Sequence, residues 1–392
     1  MPGNAGLPTH QGVIVTRGLQ EAVCLLSLDL PFASVERLLG WQTQEEAILS
    51  ATMNRMLVRE HGQIIRAAEA AEVERLLSQD DLSALTANLL PPAAPRRQAS
   101  WPAELKAVIE KALAAEEWRP PEGVSAADWA RVLTARQAEK ALATAQLRRL
   151  GPEVAEDQIV VAVDEVLIRK PERRNWWQLR TARIATTEGY RYLSGTDEAF
   201  LRQLLTCLLI LGVEHNRPLL FLADGARWIR NFYARYLHHL PQAQMVLDWY
   251  HLRLKVYQLA SMICRGKKAK RQFLFQIAGC LWRGQVDAAL TFLESYRPQT
   301  KNLDKLDELI AYLNAHNDFI PDYQHRRRHR LFIGSAHAEK ANDFIVARRQ
   351  KNQGMHWSLH TSDALAALKT LMLNGGWSLY WQHRQVLPLI AS

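Results

Sequence analysis

From residue 158 onward, short runs of aliphatic and β-branched residues alternate with amphipathic stretches of helix length. Ile159-Val-Val-Ala-Val163 has the β-branched density of a buried strand and runs into Asp164-Glu165. Trp177 to Thr186 and Gly189 to Gly195 predict two further strands turning at Glu188-Gly189, and Asp197 to Leu211 predicts an amphipathic helix. Pro218 to Ala223 predicts another buried strand, ending on Asp224-Gly225. A helix over Arg227 to Leu237 and a strand over Gln244 to Leu247, ending on Asp248, complete the set. Three strands, helix, strand, helix, strand is the pattern of an α/β fold with a mixed sheet flanked by helices.

On either side the pattern is helical. Residues 252–331 show long helical periodicity and no strand candidate, Gly334-Ser335 opens a helix running to about Gln350, and Ser362 to Leu373 predicts a last one. At the other end, residues 1–20 read as a loose tail and the pattern turns helical from about Glu21 to Gln79. A short helix capped by Ser34 and ended by Gly40, then a longer one over Gln42 to His61, has the outline of a helix-turn-helix. The same pattern fits a small helical bundle without DNA contact. Residues 91–97 read as a stiff proline-rich linker, and Ala126 to Leu150 as a connecting helix. The expected organisation is a helical, helix-turn-helix-like region at 1–93, linker and connector at 94–156, a first core part at 157–251, an all-helical insertion at 252–331 and a second core part at 332–392.

Composition narrows the class. Hydrophobic residues make up 48% and charged residues 23% of the chain, as in an ordinary globular protein. No apolar run reaches the roughly 18–20 residues that span a bilayer, and the N-terminus lacks the order of a secretory signal. Both point to the cytoplasm and to no membrane partner. The four cysteines form no CxxC pair, so reduced thiols are expected and a zinc ribbon is not. The net charge of +9 favours a polyanionic partner. Two basic runs, Arg265 to Arg271 and His325 to Arg330, are either solvated faces or phosphate contacts, the denser second run favouring contact.

Three carboxylates stand out by position. Asp164 and Asp224 follow strands, and Glu339 lies in the first turns of a helix far downstream. Strand ends of such sheets gather at one edge, where a packed helix can bring Glu339 to the aspartates. Three convergent carboxylates suit Mg²⁺ or Mn²⁺, and two such ions ~3.5–4 Å apart would serve phosphodiester cleavage. The bland alternative is that each aspartate caps a turn and the glutamate answers a helix dipole.

Several motifs resemble the core of bacterial insertion-sequence transposases of the acidic-triad (DDE) class, in the group related to mutator-like transposases. These are Leu222-Ala-Asp-Gly-Ala-Arg-Trp-Ile229, Leu247-Asp-Trp-Tyr-His251, Ile333-Gly-Ser-Ala-His-Ala-Glu339 and Arg348-Arg-Gln-Lys-Asn-Gln-Gly-Met-His-Trp357. The resemblance implies an RNase H-like core with a helical insertion before the last catalytic residue. It implies metal-binding, catalytic roles for Asp164, Asp224 and Glu339, two Mg²⁺ or Mn²⁺ ions, and supporting roles for Asp248 and His251, which equally suit a pair that braces the sheet. Asn342, one turn beyond Glu339, is placed to orient it. Lys267, Lys268, Lys270, Arg271, Arg326, Arg327, Arg328, Arg330, Arg348, Arg349 and Lys351 are the expected DNA contacts. The implied partners are double-stranded DNA, as transposon terminal repeats and target, and a second copy of the chain. The setting is the bacterial cytoplasm, at the nucleoid. Ala336 stands where relatives often have a second glycine, and Lys340 where they usually have a small residue. Neither departure removes a carboxylate.

Overall fold

The structure is a computed structural model that describes residues 9–10, 13–45, 48–78, 154, 157–172, 175–215, 217–351 and 355–389. The proline-rich linker at 91–97 and the connector helix expected at 126–150 lie outside the described residues. The described residues all belong to one compact unit built from Met1–Leu89 and Val154–Ser392.

A two-stranded ribbon, β1 (Thr9–His10) and β2 (Val13–Ile14), precedes three helices, α1 (Arg17–Ser27), α2 (Phe32–Thr43) and α3 (Ala51–Leu77). The sheet comprises β3 (Ile159–Arg169), β4 (Trp176–Thr186), β5 (Gly189–Gly195), β6 (Leu219–Ala223) and β7 (Ala243–Leu247). Their order is β5-β4-β3-β6-β7. The β3-β4-β5 meander is antiparallel, whereas β6 and β7 join β3 in parallel, so the sheet is mixed as the pattern predicts. The crossovers are α4 (Asp197–Ile210) and α5 (Arg227–Tyr236).

Alternation along the buried strands separates two cores. Ile159, Val161 and Val163 face α4 and α5, together with Phe200, Leu204, Ile229 and Phe232. Val160 and Ala162 face the other way, where α6 (Trp249–Ile263) contributes Leu252, Val256 and Leu259. The helices after α6 are α7 (Gly266–Trp282), α8 (Val286–Ser295), α9 (Leu303–His316) and α10 (Tyr323–Arg328). They extend this second core without a break through Phe273, Ile277, Leu293, Leu309 and Tyr323. The all-helical segment is thus built onto a face of the sheet.

α11 (Ala336–Asn342) continues through a π-helical turn, Asp343–Ala347, into α12 (Arg348–Gln350). α13 (Leu359–Leu373) and α14 (Trp377–His383) follow. They meet the outer half of β3 and β4, where Val166, Ile168 and Leu179 pack with Ala341, Ile345 and Leu365.

Two expectations for the N-terminal helices are corrected. α2 begins after Pro31 and runs through Gly40 to Thr43, so Ser34 does not cap it. The longer helix starts only at Ala51, capped by the Ser50 hydroxyl, which accepts from Met53 N. Its middle packs on α13 so closely that a Cβ on Gly62 would lie 2.3 Å from the Ala364 Cβ. Arg66 crosses to Asp363 at 2.8 Å, and the His61 Nδ1 lies 2.7 Å from the Tyr380 hydroxyl. That face of α3 is therefore spent on the core rather than offered to a groove of DNA.

Candidate active site

Register places the aspartates. In the parallel pairing of β3 with β6, Ile159 faces Leu219 and Ala162 faces Leu222, a constant offset of 60 positions. Asp164 and Asp224 differ by the same 60, so they fall at one level across the two strands. β6 and β7 pair with an offset of 24, from Leu219–Ala243 to Ala223–Leu247, and the next step of that ladder pairs Asp224 with Asp248. Continued past their last paired residues, the two ladders bring the three aspartates to neighbouring positions beyond β6 and β7, and Asp164 feels the charge of Asp224. Asp164 is not at a strand end as the pattern suggested. β3 continues to Arg169, but its pairing with β6 stops at Ala162, so Asp164 stands where the sheet narrows.

Each carboxylate is held differently. Asp164 accepts from its neighbour Glu165 N at 2.7 Å and from the Asn342 amide nitrogen. Asn342 in turn accepts from the hydroxyl of Thr181, the residue opposite Asp164 on β4. This Thr181–Asn342–Asp164 chain docks α11 onto the row. Asp224 accepts from Ala226 N at 2.8 Å, a turn that carries the chain from β6 into α5. It leaves Gly225 at φ +84°, where a Cβ would also meet the His316 ring at 2.7 Å.

Asp248 is 2% exposed and works as a structural hub. It caps α6 by accepting from His251 N at 2.8 Å, and it accepts from both the backbone N and the hydroxyl of Ser335, just before α11. Gly334 permits this approach, since a Cβ there would lie 2.7 Å from Asp248 Oδ2.

The electrostatics follow from the row. Burial and the charge of Asp224 push the Asp164 carboxyl up to about 6, against the pull of Glu165 N and His251. Burial pushes Asp248 up as well, but the hydrogen bonds from His251 and Ser335 outweigh it and hold the carboxyl below its usual range. His251 Nδ1 lies 3.3 Å from Asp248 Oδ1. That partner, reinforced by Asp224 and Asp164, raises the imidazole to about 9 against the opposing effect of burial, so it is a cation at neutral pH. On α11, burial, Arg183 and Lys340 lower His337 to about 4.

Among the predicted residues, Asp164, Asp224, Asp248, His251 and Asn342 are therefore gathered at one edge. Glu339 lies one turn before Asn342 on α11, a neighbouring position on the helix surface, and its side chain is exposed. Asn342 is bonded to Asp164 rather than to Glu339. Among the described residues, no three His, Cys, Asp or Glu side chains form a group that could hold a metal ion.

The basic residues divide. Lys267, Lys268 and Arg271 are exposed and Lys270 half-buried on the first turns of α7, and Arg327, Arg328 and Arg330 are exposed at the end of α10. Arg326 is buried, with Nε donating to Phe332 O at 2.7 Å and Nη1 to Gln244 at 3.2 Å. Arg349 is buried too: it donates to Ser27 O at 2.9 Å and stacks over Trp357, 4.7 Å from the ring centre. Burial lowers it to about 10. These two arginines hold elements together and face no solvent. Arg348, though exposed, pairs with Asp343 at 2.8 Å, and Lys351 is exposed. Residues 352–354 of the last motif lie outside the described residues.

Sequence reasoning missed Thr181 as Asn342's partner, because a threonine in a strand carries no signal of its own. No family model matches the chain, and no curated protein matches it. All four cysteines are free thiols, and among the described residues no helix is long and apolar enough to cross a membrane.

Proposed function

We propose that this chain is a DNA transposase of the acidic-triad class with an RNase H-like core, using Asp164, Asp224 and Glu339 to cut transposon ends and join them to target DNA. The observation that supports it most is that Asp164 and Asp224 each lie two residues beyond the last paired positions of β3 and β6, Ala162 and Leu222, with α11 tied to Asp164 through Asn342. The burial of Asp164 beside a second carboxylate is the condition a hard divalent cation relieves, so Asp164 and Asp224 fit Mg²⁺ or Mn²⁺, with Glu339 as the third oxygen donor from the docked helix. A bound divalent cation supplies the positive charge that phosphodiester cleavage needs at neutral pH.

The chain's own groups set the stage for that chemistry. Asn342 fixes one oxygen of Asp164 and Glu165 N the other, which sets the orientation of the carboxylate. Asp248 fastens the start of α6 to the start of α11, so the elements carrying His251 and Glu339 move as one piece. The His251 imidazolium offsets part of the negative charge of the row. Exposed Lys267, Lys268, Arg271, Arg327, Arg328, Arg330 and Lys351 contact phosphates without reading sequence. Joining two ends calls for a homodimer or larger assembly in the bacterial cytoplasm.

The test is cleavage and strand transfer on duplex DNA carrying the sequences that flank the gene, with Mg²⁺. Wild type is compared with Asp164→Asn, Asp224→Asn and Glu339→Gln. Loss of at least a hundred-fold in each variant, with binding retained, is expected. Full activity in any one removes that residue from the site, and cleavage without joined products points to a nuclease instead.

A further inference from the structure

Between α6 and α7 runs a groove of about 330 Å³, within the ~300–1,000 Å³ range of ordinary ligand sites. Its walls pair arginines with rings, Arg253 and Tyr257 on α6 and Arg271 and Phe275 on α7, over an apolar floor of Val256 and Leu281. The Phe275 ring is 81% exposed, and Tyr257 is 53% exposed with one face left for a ligand. Lys270 sits over the Tyr257 ring, 3.5 Å from its centre.

The charge around the groove is one-sided. From Trp249 to Val286 the chain holds eight Lys and Arg and no Asp or Glu. Lys255 is taken by Glu308, but among the described residues no carboxylate pairs with Arg253, Lys267, Lys268 or Arg271. A protein partner on an apolar surface of this kind would have to bring its own acidic groups among the rings. A polynucleotide presents anionic phosphates and flat bases in alternation, the same alternation the groove displays.

The groove is also in line with the catalytic edge. α6 starts at Asp248, and Tyr250, in its first turn, is half exposed beside Gly334. Tyr250, Leu254 and Tyr257 follow at helical spacing on one exposed stripe, and two turns, about 10 Å, separate the first ring from the last.

We propose that the groove between α6 and α7 binds unstacked, single-stranded DNA leading away from the catalytic row, with Tyr257 and Phe275 stacking on bases and Arg253 and Arg271 holding phosphates. This rests on the reading of the chain as a DNA-processing enzyme and adds to it a substrate form: a strand end whose bases are unpaired. Stacking tolerates any base, so the site recognises single-strandedness rather than sequence.

The experiment uses the full chain and two fluorescent probes, a 20-nucleotide oligothymidine and a duplex of equal length, read by anisotropy, with a 2-aminopurine single strand reporting on stacking. Phe275→Ala and Tyr257→Ala are expected to weaken single-strand binding about ten-fold, the scale of one lost base–aromatic stack. Duplex binding should change less than two-fold, and Tyr257→Phe should bind like wild type. Arg271→Ala should reduce the salt dependence of single-strand binding. Unchanged single-strand affinity in both alanine variants overturns the proposal, as does an equal loss on duplex. Loss of a dimer in Phe275→Ala with DNA binding intact overturns it in favour of a second copy in the groove. If duplex ends are cut normally while the single-strand result fails, only this inference falls. If the chain binds neither probe, the reading of the function falls with it.

Discussion

Asp164 is half-buried next to like charge, so removing its charge should make the metal-free protein more stable while abolishing catalysis. Its carboxyl stands at about 6, against 3.8 for an ordinary aspartate. At ~1.36 kcal/mol per pKa unit, the shift is equivalent to about 3 kcal/mol of strain at neutral pH. The hydrogen bond from Asn342 favours the ionised form and partly offsets this, so about 1–2 kcal/mol is the realistic gain for Asp164→Asn. That corresponds to a rise of roughly 1–2.5 °C in melting temperature. The folded-state pKa is raised, so the strain is absent below about pH 4, where both states are protonated. It grows as pH rises and is complete above about pH 6. Calorimetry in EDTA should therefore find the variant more stable at pH 7.5, by about half as much at pH 5, and indistinguishable from wild type near pH 4. Excess Mg²⁺ should reverse the order, since only wild type gains binding energy, about 2.7 kcal/mol at a hundred times Kd. A variant that melts at or below wild type at pH 7.5 without metal would refute the reasoning, because Asp164 would then not be strained by its neighbours.

Three other substitutions probe the scaffold around the row. His251, raised to about 9, contributes stability that is full below about pH 6.5 and lost as pH climbs through 9. It is partly solvent-screened, so wild type should lose only about 1 kcal/mol between pH 7 and 10 in urea titrations, a decline that His251→Gln should lack. Gly62→Ala drives a methyl group into Ala364 and should cost about 1–3 kcal/mol or prevent folding, read from the urea midpoint. Arg66→Met leaves Asp363 and Glu69 without their shared cation and should cost about 2–4 kcal/mol at pH 8. The deficit should shrink at pH 5 as Glu69, which burial already pushes up and which would lose the pull of Arg66, takes up a proton, and thermal melts at both values would show this.

Local pattern carried much of the fold. The β-branched run at Ile159, the turn at Glu188-Gly189 and the helix after Asp197 were legible because period and turn chemistry depend only on near neighbours. Asp224 and Asp248 were visible as acids following strands for the same reason, whereas Asp164 lies inside β3, which runs on to Arg169. Helix starts were less legible: the short helix begins after Pro31 rather than at Ser34, and the longer one at Ala51, capped by Ser50, rather than at Gln42. Basic runs were least legible, because Arg326 and Arg349 resemble their exposed neighbours until Phe332 O and Ser27 O are seen to take them.

The amino-acid order alone determined which segments of the sheet region are strands and helices and that Asp224 and Asp248 follow strands, since those depend on steric and hydrophobic preferences acting over a few residues. Only the tertiary structure decided that β3 lies beside β6 with an offset of 60, that Asn342 reaches Asp164 rather than Glu339, and that the helical segment lays a ring-lined basic groove against the sheet. The first two of those relations join residues 60 and 178 positions apart. They are set by which apolar faces can be buried together, a property of the whole packed chain that no short window contains.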